Sequence, residues 1–346
     1  MALIVLKGLL AEDESRSVVR SSSAFVAIGL SSKSFAFKWQ ADESFDALLL
    51  GHRDLALDQG PLTVAALGVN PPERSIHFHV SLLSKTDETV SSAAKAPSAE
   101  ESKSLVEQLK RLSTKNLTVV IGAGVDHGLV SEQRMEILTT RPSALIANGI
   151  MASLPEGDGE GELRRLIDDS VNLLSEQEFN ARRIDLGIAP INLAWPWGQG
   201  ERPKVTNQAL ALGRPWRVVG NSLALRGLAR LSGFRTEPLG GSFRDAIVSA
   251  TKEPATLMVF DFSSFDPEEM EKTVADLSEQ FLTPLIDWQR DQKSPLTMVA
   301  TNRSGHGIVA TFAGGNERDH FPFDERAFTE KRVEWIQLAQ LLDCDV

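Results

Sequence analysis

Six histidines, 47 acidic residues and a single cysteine set what this chain of 346 residues can do chemically. His77 and His79 alternate along an apolar run, Ile76–Leu83, which places both imidazoles on one side of a strand. Such a pair can ligate a metal, although a polar strand face uses the same spacing. Other candidate ligands are His52 and Asp54 after Gly51, Asp261 and Asp266 in a Phe-rich stretch, His306 within Ser304-Gly305-His306-Gly307, and His320. His306 follows a strand end, where open α/β sheets hold their ligands, in what reads as a flexible turn. Cys344, the lone cysteine, rules out an internal disulfide and a Cys-based zinc site, as expected of a reducing compartment.

The familiar short motifs are missing. Gly122-Ala123-Gly124 follows a strand but lacks the third glycine of a dinucleotide fingerprint. There is no GxxxxGK[ST] loop, and Gly240-Gly241-Ser242 is a helix opening rather than a G-x-S-x-G elbow.

The elements that must position these groups are readable from pattern. Ala2–Leu6, Leu117–Ile121, Thr256–Phe260 and Pro295–Ala300 are short, branched and apolar, as buried strands are. Ser98-Ala99-Glu100-Glu101 has the form of a capping box ahead of Leu105, Leu109 and Leu112. Leu163, Leu166, Ile167, Val171 and Leu174 form a second helical face, and Pro267 opens a third helix running to Leu285. Strands alternating with helices predict an α/β class with a largely parallel sheet. Ser84–Ser98 and Pro155–Gly161 read as loops or linkers in the middle third, where an inserted domain would sit.

The stretch Ile191-Asn192-Leu193-Ala194-Trp195-Pro196-Trp197-Gly198-Gln199-Gly200, followed by Arg202-Pro203, resembles the archaeal-type cofactor-independent phosphoglycerate mutases of the alkaline phosphatase superfamily. Val219–Phe234 resembles that family's next strand and helix. Leu48–Gly51, Gln59–Leu62, Ala65–Gly68 and Gly122–Val130 with His127 resemble further segments, in the family's order. The resemblance implies an alkaline-phosphatase-like α/β core from residues 1–70 and 185–346, with a smaller α/β cap domain at 71–184. It also implies phosphate transfer through a serine beside two divalent metals, manganese or magnesium, with arginines holding the anionic substrate.

The residues expected for that chemistry are replaced. Lys7-Gly8 stands where the resemblance puts a ligating Asp-Gly, and Thr301-Asn302-Arg303 where it puts Pro-Asp-His. Asp42 occupies the nucleophile position, with Ser44 the nearest hydroxyl. No histidine follows Asp261 and Asp266. Gln59, His79 and Asp126 stand at three arginine positions, and Ser81 at an asparagine position. The pattern is that of a mutase-like fold without its two-metal apparatus and without a cofactor, acting as a binding or regulatory protein. The alternative is an active mutase or phosphatase with relocated ligands, a Mn or Mg pair and Asp261 or His306 among them. A third reading is an assembly partner that uses the inserted domain as its interface.

An excess of 47 acidic over 36 basic residues argues against a nucleic-acid or polybasic membrane partner. With no leader or spanning segment in view, the expectation is a cytoplasmic protein whose partner is a small phosphorylated or anionic ligand. Candidate contacts for that ligand are Lys7, Asn302, Arg303, His127, Trp197, Gly198 and Gly200. Lys7 and Arg303, at two neighbouring strand ends, should be brought together. Asp42 or Asp261 would then neutralise them, the favoured outcome, or an external anion would.

Overall fold

The computed structural model describes residues 2–11, 17, 19, 22, 24–25, 33–38, 44–52, 55–87, 89–92, 96–211, 217–252, 256–292, 296–312 and 333–334. Asp42, Asp54, His320 and Cys344 lie outside the described residues. The chain forms two compact units, one of residues 1–55 and 205–346, the other of residues 56–204.

The first unit opens with β1 (Ala2–Lys7), β2 (Lys33–Lys38) and a short helix α1 (Phe45–Leu49). Chain order then enters the second unit. There α2 (Gln59–Ala66), β3 (Ile76–Thr86), β4 (Thr89–Ser92), α3 (Ala99–Arg111), β5 (Leu117–Val120) and β6 (Asp126–Ser131) come first. They are followed by β7 (Ile137–Leu138), α4 (Pro142–Asn148), β8 (Glu156–Gly157), α5 (Glu160–Ser175), α6 (Glu178–Asp185) and β9 (Leu193–Gly200). Back in the first unit, α7 (Gln208–Ala211), β10 (Arg217–Gly220), α8 (Leu223–Leu231), β11 (Arg235–Pro238), α9 (Phe243–Lys252) and β12 (Thr256–Asp261) alternate. Helices α10 (Pro267–Leu277) and α11 (Thr283–Gln292), joined by a π-helical turn at Ser278–Leu282, precede β13 (Leu296–Thr301), β14 (His306–Phe312) and β15 (Val333–Glu334).

The first unit holds an eight-stranded sheet in the order β11-β10-β12-β1-β13-β14-β2-β15. Its half from β11 to β13 is parallel, whereas β14 runs antiparallel to both β13 and β2. β1 lies between β12 and β13, and Leu3, Ile4, Val5 and Leu6 are all at most 1% exposed. A central parallel strand is covered on both faces, so its run is continuously apolar rather than alternating. One core cluster joins Ile4 and Leu6 to Met258, Phe260 and Met298 and to helix residues Ala246, Val274, Leu277, Phe281 and Leu285. The Phe260 and Phe281 rings meet edge-on at 4.9 Å. Gly240-Gly241-Ser242 leads into α9, where the Ser242 hydroxyl accepts from the Asp245 amide at 3.1 Å.

The second unit is built on an antiparallel sheet in which β3 pairs with β4, β6 and β9, and β5 flanks β6. Its helices carry the expected signals. Ser98 and Glu101 form the capping box of α3, and Leu105 and Leu109 face the core with Leu163, Leu166 and Leu174 of α5. The unit, residues 56–204, is wider than the segment 71–184 expected from the order of the resemblances and the linker-like composition. β9 belongs to it because Leu193–Gly200 pairs along β3, and α2 belongs to it because it packs on the same strand. At Gly60 a Cβ would stand 2.1 Å from the His77 carbonyl oxygen, so only glycine allows α2 to approach β3 this closely. The Ser84–Ser98 stretch is not simply a linker: it contains the end of β3 and the hairpin partner β4.

Among the described residues no helix is long and apolar enough to cross a membrane.

Candidate functional site

In the first unit the carboxyl ends of β1, β12 and β13 gather the residues singled out at those strand ends. Lys7 closes β1 and lies beside Asp261 in the parallel register. Its ammonium group sits 2.9 Å from Asp46 on α1 and 3.0 Å from Asp261. The three side chains are only 21%, 8% and 17% exposed, so water screens the cluster weakly. Burial works against the charged ammonium, but the two carboxylates outweigh it and raise the Lys7 pKa above its ordinary value. Burial pushes the Asp46 carboxyl up, against the pull of Lys7 and with the repulsion of Asp261. Asp261 is also penalised by burial, yet Lys7 and hydrogen bonds from Ser263 hold it below the usual carboxylate range.

Asp261 was in view as a neutralising partner for Lys7. Asp46 was not, because it lies inside an apolar pentamer, Phe45-Asp46-Ala47-Leu48-Leu49, that reads as core. Ser44 is the N-cap of α1, its hydroxyl accepting from the Ala47 amide at 3.4 Å.

Asn302 and Arg303 serve the local backbone. The Asn302 side-chain oxygen accepts from the amides of Ser304 and His306, and its own amide donates to the His306 carbonyl. This closes a tight hairpin, so His306 opens β14 and is not part of a flexible turn. The Arg303 guanidinium donates to the carbonyls of Phe265 at 2.7 Å and Phe262 at 3.3 Å, strapping the loop after β12. The Gly8 amide donates to the Thr301 hydroxyl at 3.0 Å, locking β1 to β13 just past Lys7.

These residues do not fit a pair of divalent metals. The two carboxylates nearest the strand ends already share an ammonium group, and Asn302 is turned onto its own hairpin. Among the described residues no group of three or more His, Cys, Asp or Glu side chains is placed to hold a metal ion.

The second unit assembles a different cluster on one face of its sheet. Strand register sets His79 opposite Gly128 on β6 and Trp197 on β9, and Ser81 opposite Asp126 and Trp195. His79 Nε2 lies 3.0 Å from the Asp126 carboxylate, and His79 Nδ1 lies 2.8 Å from the Thr63 hydroxyl. Both imidazole nitrogens are thereby engaged, one by a carboxylate and one by a hydroxyl. Gln59 donates to the same hydroxyl at 3.4 Å. The three positions at which the resemblance expects arginines, Gln59, His79 and Asp126, are thus joined through Thr63 into one chain. Sequence alone could not supply Thr63, since the chain crosses α2, β3 and β6.

Trp197 and the glycines shape this face. The Trp197 indole donates to Ser81 at 2.9 Å, and its ring centre is 5.0 Å from that of His79. Trp195 is fully buried and donates to the Thr140 carbonyl, a core role. Gly198 has φ +64°, and a Cβ there would meet Gln59 Cβ at 2.8 Å. At Gly200 a Cβ would overlap Asp58, and the Gly200 carbonyl lies 3.2 Å from His77 Nδ1. His77 bonds Ser75 with its other nitrogen, so the His77–His79 pair is divided between separate partners. His127 is 1% exposed, accepts from the Gly122 amide at 3.0 Å, and burial lowers its pKa to about 4. It is neutral near pH 7.

Comparison with known proteins places these features. No family model matches the chain. A 2,3-bisphosphoglycerate-independent phosphoglycerate mutase of Methanothrix thermoacetophila is 25% identical over 185 residues, 53% of this chain and 47% of that one. Its counterpart in Methanosarcina mazei is 24% identical over 261 residues, 70% of this chain and 66% of the relative. The match to the Methanosarcina barkeri enzyme is 30% over 152 residues, 43% and 38% of the two chains. The matches therefore span from 38% to 66% of the length of these curated relatives. Among solved structures, the cofactor-independent phosphoglycerate mutase of Thermoplasma acidophilum superposes with a TM-score of 0.58 at 15% identity. That superposition covers 99% of this chain and 97% of the other. A Pyrococcus horikoshii protein gives a TM-score of 0.64 at 11% identity, over 94% and 91% of the chains. At these identities the structures speak for the fold, and the sequence matches speak for descent. The chain is a homologue of the archaeal-type cofactor-independent phosphoglycerate mutases and has their fold.

Proposed function

We propose that this mutase-like protein is non-catalytic, a cytoplasmic binding or regulatory protein for a small phosphorylated or anionic ligand. The observation that carries the reading is the Lys7 ammonium seated between Asp46 and Asp261 at the sheet end. A cation there repels a metal ion and consumes both carboxylates that would ligate one. The chain Gln59–Thr63–His79–Asp126 supports the same reading, since none of the guanidinium groups that the resemblance expects at three of these positions is present to hold a transferring phosphate.

Elemental analysis after purification in manganese, paired with an assay on 2- and 3-phosphoglycerate, tests the proposal. The expected result is no stoichiometric metal and no interconversion. Two tightly held equivalents of metal, or turnover above the rate without protein, would establish the alternative, a metal-dependent mutase or phosphatase with relocated ligands.

A further inference from the structure

The three N–H donors of the Lys7 ammonium group meet three carboxylate oxygens. Two belong to Asp46, at 2.9 and 3.0 Å, and one to Asp261, at 3.0 Å. These are hydrogen-bond distances for an ammonium nitrogen, well beyond the roughly 2.0–2.1 Å at which magnesium holds its oxygen ligands. The oxygens outline a notch of ammonium dimensions.

The notch does not depend on the side chain that fills it. Asp261 is fixed by its register beside β1, and Asn221 bonds both its backbone amide and its carbonyl. Its other carboxylate oxygen accepts from the Ser263 amide at 3.0 Å. Asp46 is carried by α1, whose Phe45, Ala47 and Leu49 are buried. The backbone at Lys7 is held separately. Its carbonyl accepts from the Phe262 amide at 2.9 Å, and the next amide, of Gly8, donates to Thr301. Shortening the side chain therefore leaves strand and acceptors in place, with two largely buried carboxylates facing a gap. The Lys7 side chain is 21% exposed, so the gap opens to solvent.

We infer that Asp46 and Asp261 form a binding site for a primary ammonium group, and that Lys7 is its tethered ligand. A primary amine brings three donors and one positive charge together, whereas a quaternary ammonium brings the charge alone. The inference rests on the non-catalytic reading of this cluster and names the chemistry to which the strand ends are matched.

Chemical complementation tests it. Lys7→Ala removes the segment from Cγ to Nζ, and ethylammonium, slightly shorter, returns its charged end without the covalent tether. Thermal unfolding of the variant is followed in ethylammonium, tetramethylammonium and sodium chlorides at equal ionic strength. Ethylammonium should raise the midpoint by roughly 3 °C over either of the other salts, the shift expected of a ligand several-fold above its dissociation constant. The wild type, with its site filled, should not distinguish the three. Adding Asp46→Asn to Lys7→Ala should remove most of the response. If Lys7→Ala does not fold, combining it with Asp261→Asn relieves the repulsion between carboxylates and keeps both Asp46 oxygens. That double variant should show a smaller ethylammonium shift, and its indifference would overturn the assignment. So would a folded Lys7→Ala that treats ethylammonium and tetramethylammonium alike, a wild type that responds as strongly, or greater stabilisation of the variant by manganese chloride. Metal content and turnover of the wild type test the non-catalytic reading and do not enter this comparison.

Discussion

The strand-end cluster of the first unit and the His79 chain of the second occupy places where the resemblance expects opposite charge. The first should be strongly negative, to hold cations, and instead contains a lysine. The second should be strongly positive, to hold an anion, and instead contains glutamine, histidine and aspartate. Each has closed on itself by a different route. Lys7 is satisfied by ion pairs from residues 39 and 254 positions away, whereas His79 is satisfied by directional hydrogen bonds from Thr63 and Asp126. Ion pairing sets two carboxylates against one ammonium, and the cost of burying Asp46 is only partly offset by Lys7. Hydrogen bonding leaves the imidazole with both nitrogens engaged. The two regions are thus physically distinct kinds of cluster, one sensitive to charge removal and the other to geometry.

Removing the cation is the most severe way to break the first cluster. Lys7→Met leaves Asp46 and Asp261 facing each other, largely buried and uncompensated. Breaking a buried pair by deleting one partner costs about 3–5 kcal/mol, and a fall of that size is expected in urea unfolding. A loss below about 1 kcal/mol would mean that the cluster is solvated and contributes as a surface pair does.

Acid separates the two units. His127 has a folded pKa of about 4 against an ordinary value near 6.5, so the unfolded chain binds the extra proton first. Stability is therefore lost as pH falls from about 6.5 to about 4, by about 3 kcal/mol in full. Burial lowers the His77 pKa in the same unit, and its contribution falls in the same direction. In the first unit burial lowers the pKa of His52, bonded to Ser232 at 2.7 Å, in the same direction. Lys7, with its pKa raised, contributes unchanged throughout that window and loses its contribution only in strong alkali. Glu101, held down to about 2 chiefly by the Arg183 hydrogen bond, adds its own loss only below about pH 4.5. His127→Gln should flatten stability against pH between 6.5 and 4.5 as measured by urea unfolding. An unchanged slope would place the acid sensitivity elsewhere.

The parts of this structure that local pattern determines were legible in the sequence. β1, β12 and β13 are continuous apolar runs because they are central parallel strands, and α3 announces itself by its capping box. What pattern could not give was pairing between distant segments. Leu193–Gly200 reads as a strand end with a tight turn, and only its register with β3 moves the boundary from 184 to 204. β4 was hidden because Thr89–Ser92 is polar, with three of its four residues exposed on an edge hairpin. Lys7 and Asp261 stood out as charges at the ends of apolar runs, but Asp46 is a charge inside one. Its reason for being there exists only once Lys7 is placed beside it.

The smallest expected effect concerns Ser44, and it sharpens the comparison most. As an N-cap whose hydroxyl accepts from Ala47 at a long 3.4 Å, Ser44 stabilises a helix of only five residues. Ser44→Ala should cost about 0.5 kcal/mol, the low end for loss of a cap, read as a small drop in urea midpoint. The side chain holding the Lys7 ammonium, Asp46, is two residues further along α1, so the substitution also asks whether the ion cluster needs the cap. A loss of several kcal/mol would mean that it does, and that the helix end and the cluster form one cooperative unit. As the nearest hydroxyl to the nucleophile position, Ser44 is also the residue on which the catalytic alternative depends. If wild-type protein turned over phosphoglycerate and Ser44→Ala abolished turnover while costing only that half kilocalorie, the hydroxyl would be a nucleophile. The strand-end cluster would then be a rebuilt active site rather than the remnant of one.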